Sequence, residues 1–146
     1  MKATRNRLEF LKKDAIQGFI KYIGMKPVSL QQGAFITRLK LEKRHLQQDG
    51  FAHAGILATM ADHTAGYAGY TLIPEGRRIL TVEYKINYLR PARGEFLECR
   101  ARVIKPGKQL LVTEADVYSI DGDDITLVAR AMHTMASVPV EKIAGD

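Results

Sequence analysis

Residues 53–72 read HAGILATMADHTAGYAGYTL, and the fold turns on them. Across residues 50–74, a chain that is 26% charged would carry about six charged side chains at its average density. Asp62 stands there alone. The stretch is too long for one strand. Its apolar residues fall on every side of a helical wheel, the pattern of a helix buried all round. Small residues dominate it: Ala54, Gly55, Ala58, Ala61, Ala65, Gly66, Ala68 and Gly69. They let a surrounding surface approach closely, although glycine weakens a helix.

Downstream, four segments read as strands. Residues 79–89 alternate, with Val82, Tyr84, Ile86 and Tyr88 on one face and Thr81, Glu83, Lys85 and Asn87 on the other. Residues 95–104 follow Pro91 and Gly94 and end at a turn, Lys105-Pro106-Gly107-Lys108. Residues 109–119 and 124–138 form a hairpin around Asp121-Gly122-Asp123. Short turns force antiparallel pairing, because parallel neighbours need long crossovers. Upstream, residues 28–45 read as strand with a turn near Gln31-Gln32-Gly33, and residues 46–52 read as a loop through Asp49-Gly50. Residues 3–23 read as one helix with Leu8, Leu11, Ala15, Phe19 and Tyr22 on its apolar stripe, ending at Gly24. It serves as a lid or flank on the sheet; a basic polar face also suits a membrane surface. The expected class is α+β, an antiparallel sheet curled around a central helix. One domain spans 1–146, with an N-terminal helix within 1–24 and a frayed tail at 139–146.

The composition fits that picture. With 146 residues, 46% hydrophobic, the chain can hold a core without staples. Its single cysteine, Cys99, cannot form an internal bridge, which fits a reducing compartment. No apolar run reaches the roughly 20 residues that span a bilayer. The first residues carry Glu9 and Asp14 and lack the apolar core of a signal peptide. The expected setting is cytoplasmic, with no membrane partner. A net charge of +6 suits anionic partners, phosphorylated cofactors among them. No nucleic-acid signature accompanies it.

Asp62 is the residue that needs explaining. A carboxylate buried in an apolar helix requires a partner or a raised pKa. Thr59, His63 or a backbone N–H could satisfy it structurally; alternatively it is a general base or nucleophile in a cleft. Upstream, His53-Ala54-Gly55 stands where the helix begins. Free N–H groups and the helix dipole there favour a developing negative charge, the requirement of an oxyanion hole. Ala54 and Asp62 are eight positions apart, roughly 12 Å along a helix. One chain cannot bring both to one carbonyl. A second copy with its helix antiparallel could, so a catalytic pair implies at least a dimer with shared sites. His63 points away from Asp62 on the helix and reads as structural. His45 and His133 read as lone strand histidines for packing or surface. Four histidines without clustered cysteines or carboxylates argue against a metal.

His53-Ala54-Gly55 with Asp62 nine residues after the histidine, then the strand Thr81-Val82-Glu83-Tyr84-Lys85-Ile86-Asn87-Tyr88-Leu89-Arg90-Pro91-Ala92, resembles the hotdog-fold acyl-CoA thioesterases of the phenylacetyl-CoA (PaaI-like) type. The resemblance covers about residues 45–137. It implies a sheet wrapped around a long helix and hydrolysis of an aromatic or medium-chain acyl-CoA. A non-catalytic acyl-CoA-binding module is the alternative. Asp62 matches the family's catalytic carboxylate, and the Ala54 N–H its oxyanion donor. Gln47 matches an amide that helps bind the thioester carbonyl, and Thr81 a hydroxyl that positions water. His53 matches an organiser of the helix start, followed by Gly55 within the motif. Arg90, Pro91, Asn87, Lys105 and Lys108 provide a rim for coenzyme A, which arrives as part of the substrate; no separate cofactor or metal is implied. A homodimer or dimer of dimers is implied. The family commonly has glycine where this chain has Ala54. A backbone donor survives that change if the position is not at positive φ.

Overall fold

The computed structural model describes residues 2–144; Met1, Gly145 and Asp146, at the ends of the expected helix and tail, lie outside the described residues. In chain order the elements are α1 (Arg5–Asp14), α2 (Gly18–Tyr22), β1 (Met25–Gln31), β2 (Ala34–Lys40), α3 (Ala54–Tyr70), β3 (Arg77–Tyr88), β4 (Phe96–Pro106), β5 (Leu110–Asp121) and β6 (Asp124–Pro139). The strands form one six-stranded sheet in the order β1-β2-β4-β5-β6-β3. Every pairing is antiparallel. The sheet wraps α3, which packs on β2 through β6. This is the hotdog architecture, an α+β sheet around a central helix, as the stretch with its single charge predicts.

The sheet covers one side of α3. Ile56, Leu57, Met60, Ala61, Thr64, Ala65, Ala68 and Gly69 are buried against it. Large buried side chains such as Leu57 and Met60 each contribute about 1.5–3 kcal/mol to that seam. The opposite side is not enclosed within one chain. Ala54 and Gly55 are exposed there, and Ala58, Thr59, Asp62, His63 and Gly66 are half-buried. The helix is therefore not buried all round, because the sheet supplies a single wall.

Three further expectations change. The N-terminal helix is two helices, since Gln17 is extended and Gly18 sits at φ +49°. The break lets Asp14 and Ala15 turn onto α3, where the Tyr67 hydroxyl donates to Asp14 Oδ2 at 2.8 Å and His63 Nε2 meets the Ala15 carbonyl at 2.7 Å. It also moves Phe19 and Tyr22 out of the apolar stripe into solvent, and Ile20 and Ile23 into the core. Second, residues 28–45 resolve into the hairpin β1–β2 followed by a 3-10 turn, Lys43–His45. His45 lies in that turn, buried, with its ring bonded to the Glu42 N–H and the Ile23 carbonyl. Third, residues just past β6 do not fray: Val140–Lys142 form a 3-10 turn, and the Val140 N–H donates to the Gly76 carbonyl at 2.9 Å.

In β3 the simple alternation breaks. Thr81 pairs with Met135 and Glu83 with Thr134, so Val82 is an extra, bulged residue. The bulge shifts the inward phase from odd to even positions. Ile79 and Thr81 face the helix before it, and Tyr84 faces His133 after it. Thr81 and Tyr84, expected on opposite faces, thus line the same side.

Candidate active site

The helix start is built by its own cap. His53 is extended, at φ −61° and ψ 138°, and its Nδ1 accepts from the Gly55 N–H at 2.8 Å. A Cβ on Gly55 would stand 3.0 Å from that nitrogen, so glycine makes room for the cap. The Ile56 N–H donates to the His53 carbonyl. This leaves the Ala54 N–H without an acceptor among the described residues. Among the described residues none other than glycine has positive φ, so Ala54 holds its donor in ordinary helical geometry. His53 organises the helix start, and Ala54 presents a free N–H.

Asp62 projects from the open side of α3. Its side chain is 35% exposed, so its carboxylate does not bear the cost of full burial. The structural partners that the sequence suggested are taken elsewhere. Thr59 Oγ1 donates to the Gly55 carbonyl, and His63 is bound to Ala15. Instead the Thr81 hydroxyl donates to Asp62 Oδ1 at 2.7 Å. The pairing spans helix and strand, just ahead of the Val82 bulge.

Beneath the carboxylate lies a residue that the sequence did not single out for the site. His133, fully buried on β6, places Nε2 4.0 Å from Asp62 Oδ1 and packs its ring against Tyr84. Neither ring nitrogen completes a hydrogen bond among the described residues. Burial lowers its pKa below the ordinary 6.5, and the Asp62 charge and the Thr113 backbone oppose that shift. His63 is lowered likewise, mainly by burial. A signal for His133 does exist in the sequence. Ala129, Ala131, His133, Met135 and Ser137 are buried at alternate positions of β6, and His133 is the one ionisable side chain among them.

Cavities frame these groups. One of about 460 Å³ runs along the open face of α3 over Gly55, Ala58, Thr59 and Asp62, walled by Ile20 and Tyr84. One of about 240 Å³ continues past Asp62 and Thr81 toward Gly66. A third, about 230 Å³, lies at the helix start between Ala54, Leu57 and the strand exit at Tyr88, Arg90 and Pro91. Arg90 is anchored at its rim by a bond to the Leu127 carbonyl.

The remaining expected residues do not gather here within one chain. Gln47 commits its amide to Asp49: its Nε2 donates to the carboxylate, and its Oε1 accepts from the Asp49 N–H. Asn87 is exposed on β3 opposite Arg130. Lys105 and Lys108 stand at the β4–β5 turn, whose end is level with Ala136. That is roughly 30 Å along β6 from Leu127, at about 3.3 Å per residue. Cys99 is buried, its thiol pushed up to about 12 by that burial, and takes no part. Among the described residues no three His, Cys, Asp or Glu side chains gather to hold a metal ion. No helix among them is long and apolar enough to cross a membrane.

A sheet-wrapped helix with a free N–H at its start and a hydroxyl-held carboxylate at its middle defines a hotdog thioesterase framework. Residues 49–134 match the family model of the thioesterase superfamily, and the chain belongs to that superfamily. It is 32% identical to human acyl-coenzyme A thioesterase 13 over 108 residues, 73% of this chain and 75% of that one. A crystal structure of a thioesterase family protein from Silicibacter pomeroyi superposes with a TM-score of 0.87 at 32% identity, covering 90% of this chain and 98% of that one. A Bacillus halodurans protein crystallised with CoA superposes with a TM-score of 0.66 at 28% identity, covering 70% of this chain and 66% of that one.

Proposed function

We propose that this chain is an acyl-CoA thioesterase that hydrolyses aromatic or medium-chain acyl-CoA to the free acid and coenzyme A. The observation that carries the reading is the Thr81–Asp62 pair, set on a helix whose start offers the free Ala54 N–H. Asp62 takes a proton from a water positioned beside Thr81. The hydroxide adds to the thioester carbon, and the carbonyl oxygen becomes an oxyanion held by the Ala54 N–H. Collapse of the tetrahedral intermediate expels the coenzyme A thiolate, which takes the proton from Asp62. The similarity to human acyl-coenzyme A thioesterase 13, and to a protein crystallised with CoA, supports the substrate class.

Two copies complete each site. Ala54 and Asp62 lie eight positions apart on one rigid helix, roughly 12 Å, so each carbonyl is held by one copy's Ala54 and attacked through the other's Asp62. The edge strand β3 supports this. It is 12 residues long and carries exposed Leu80, Val82, Tyr84 and Tyr88, an edge that a soluble chain normally covers. Antiparallel β3–β3 pairing continues the sheet and places the partner's helix along the groove of Ala58 and Thr59. It also brings the Arg90 end of one copy toward the Lys105 and Lys108 end of the other, forming one basic rim for coenzyme A.

A thiol-release screen tests the reading. Acyl-CoAs from acetyl to palmitoyl, with benzoyl and phenylacetyl, are offered to the purified protein. Turnover of aromatic or medium-chain members is expected. Acyl-CoA binding without thiol release from any of them would establish the binding-module alternative.

A further inference from the structure

Helix α3 contains three glycines, Gly55, Gly66 and Gly69. Gly55 makes room for the His53 cap, where a Cβ would stand 3.0 Å from Nδ1. A Cβ on Gly69 would make ordinary contact with Ile79 and Leu111, from 3.5 Å, and Gly69 does not line the cavities beside Asp62. Gly66 makes room for no cap. A Cβ there would meet a single atom, Ile79 Cγ2 at 3.9 Å, which is ordinary contact. Packing within the chain does not require glycine at 66, and an interior glycine weakens a helix relative to alanine.

What the missing side chain leaves is space beside the reacting groups. Gly66 lines the cavity of about 240 Å³ whose other walls include Asp62, Thr81, Tyr67, Tyr70 and Ile79. Its aromatic wall is fixed. Tyr67 is tied to Asp14 through its hydroxyl, and its ring lies 4.9 Å from both His63 and Tyr70. Tyr67, Tyr70 and Gly66 belong to the same helix, so with the two rings held, the room left beside Asp62 is set by the residue at 66.

We infer that Gly66 is a specificity-determining residue and that the acyl group lies in this cavity. The inference rests on the thioesterase reading above. The leaving group lies in the groove of Tyr88, Arg90 and Pro91, which adjoins the Ala54 of the copy holding the carbonyl oxygen. The acyl group must then depart on the side of the copy that supplies Asp62. Two of the cavities are lined by Asp62. The larger follows Ala58 and Thr59 and receives the second copy's helix; the other runs over Gly66 toward Tyr70 and Ile79.

The test is the ratio of kcat/KM for octanoyl-CoA and phenylacetyl-CoA to that for acetyl-CoA, in wild type, Gly66→Ala and Gly66→Val. One added methyl is expected to lower the ratio by about tenfold or more, with acetyl-CoA little affected. Gly66→Val lowers it further. At the same time Gly66→Ala raises Tm by roughly 2–5 °C, because alanine suits the helix and nothing crowds it. An unchanged ratio in both variants, or an equal fall for every acyl group, overturns the assignment while wild-type turnover leaves the thioesterase reading intact. A lower Tm in Gly66→Ala also overturns it, since the glycine would then serve packing. If wild type releases no thiol from any acyl-CoA, the thioesterase reading fails separately. The Gly66 assignment is then decided by the same ratio in the binding of S-octyl-CoA and S-ethyl-CoA thioethers.

Discussion

The Thr81 hydroxyl donates to Asp62 Oδ1 at 2.7 Å, joining the middle of the central helix to the bulged start of the edge strand. The bond fixes one carboxylate oxygen of a residue that lines the groove. A hydrogen bond to a charged group is worth about 1.5–3 kcal/mol. Thr81→Val keeps the shape and removes the donor, so kcat should fall roughly 10- to 100-fold. Thr81→Ser should restore most of it. Steady-state kinetics on the three proteins decide the matter; a fully active Thr81→Val would show that the hydroxyl serves packing alone.

His133 and His63 both have pKa values lowered by burial in the folded protein. Asp62 faces both rings; the Thr113 backbone also faces His133, and Asp14 also faces His63. The unfolded chain takes up protons at these sites as pH falls through about 6.5, and the folded chain resists until lower pH. Stability should therefore fall as pH drops below about 6.5 and level off below the depressed folded values. His133→Gln removes one of the two groups. Its Tm between pH 7.5 and 5 should decline less steeply than that of wild type. Parallel curves would show that His133 titrates normally.

Arg90 and Lys108, contributed by different copies, should bind the phosphates of coenzyme A. Phosphate contacts hold ground and transition states alike, so Arg90→Ala or Lys108→Ala should raise KM several-fold with little change in kcat. Salt should diminish the difference from wild type. A loss of kcat with KM and salt response unchanged would remove both residues from the rim.

The fold was legible where a pattern is local and physical. A helix with Asp62 as its one charge, and strands punctuated by Lys105-Pro106-Gly107-Lys108 and Asp121-Gly122-Asp123, announced themselves through spacing and turn chemistry. Thr81 was reached through resemblance; alternation alone set it on the face opposite Tyr84, since periodicity cannot show a one-residue bulge at Val82. The break after Asp14 was hidden because it is held by tertiary bonds to His63 and Tyr67, which no local propensity encodes. His133 was hidden for a related reason. It meets Asp62 where α3 packs on β6, across a long sequence separation.

The central claim is that each site takes Ala54 from one copy and Asp62 from the other, and complementation tests it most directly. Ala54→Pro removes the N–H at the first helical position, where proline's φ is already suitable. The residue before it, His53, is already at φ −61° and ψ 138°, a conformation compatible with a following proline. This variant should fold and lose roughly 10²–10³ in kcat. Asp62→Asn should lose on the order of 10² or more. In a mixed dimer the Asp62→Asn chain supplies an intact Ala54 and the Ala54→Pro chain an intact Asp62. One of two sites is then complete, so random exchange of equal amounts should restore about a quarter of wild-type turnover in a two-fold symmetric dimer. Recovery near that level supports the shared site. Mixed dimers, verified by differential tags, that stay as inactive as their parents would contradict it, as would a wild-type monomer with full turnover at assay concentration.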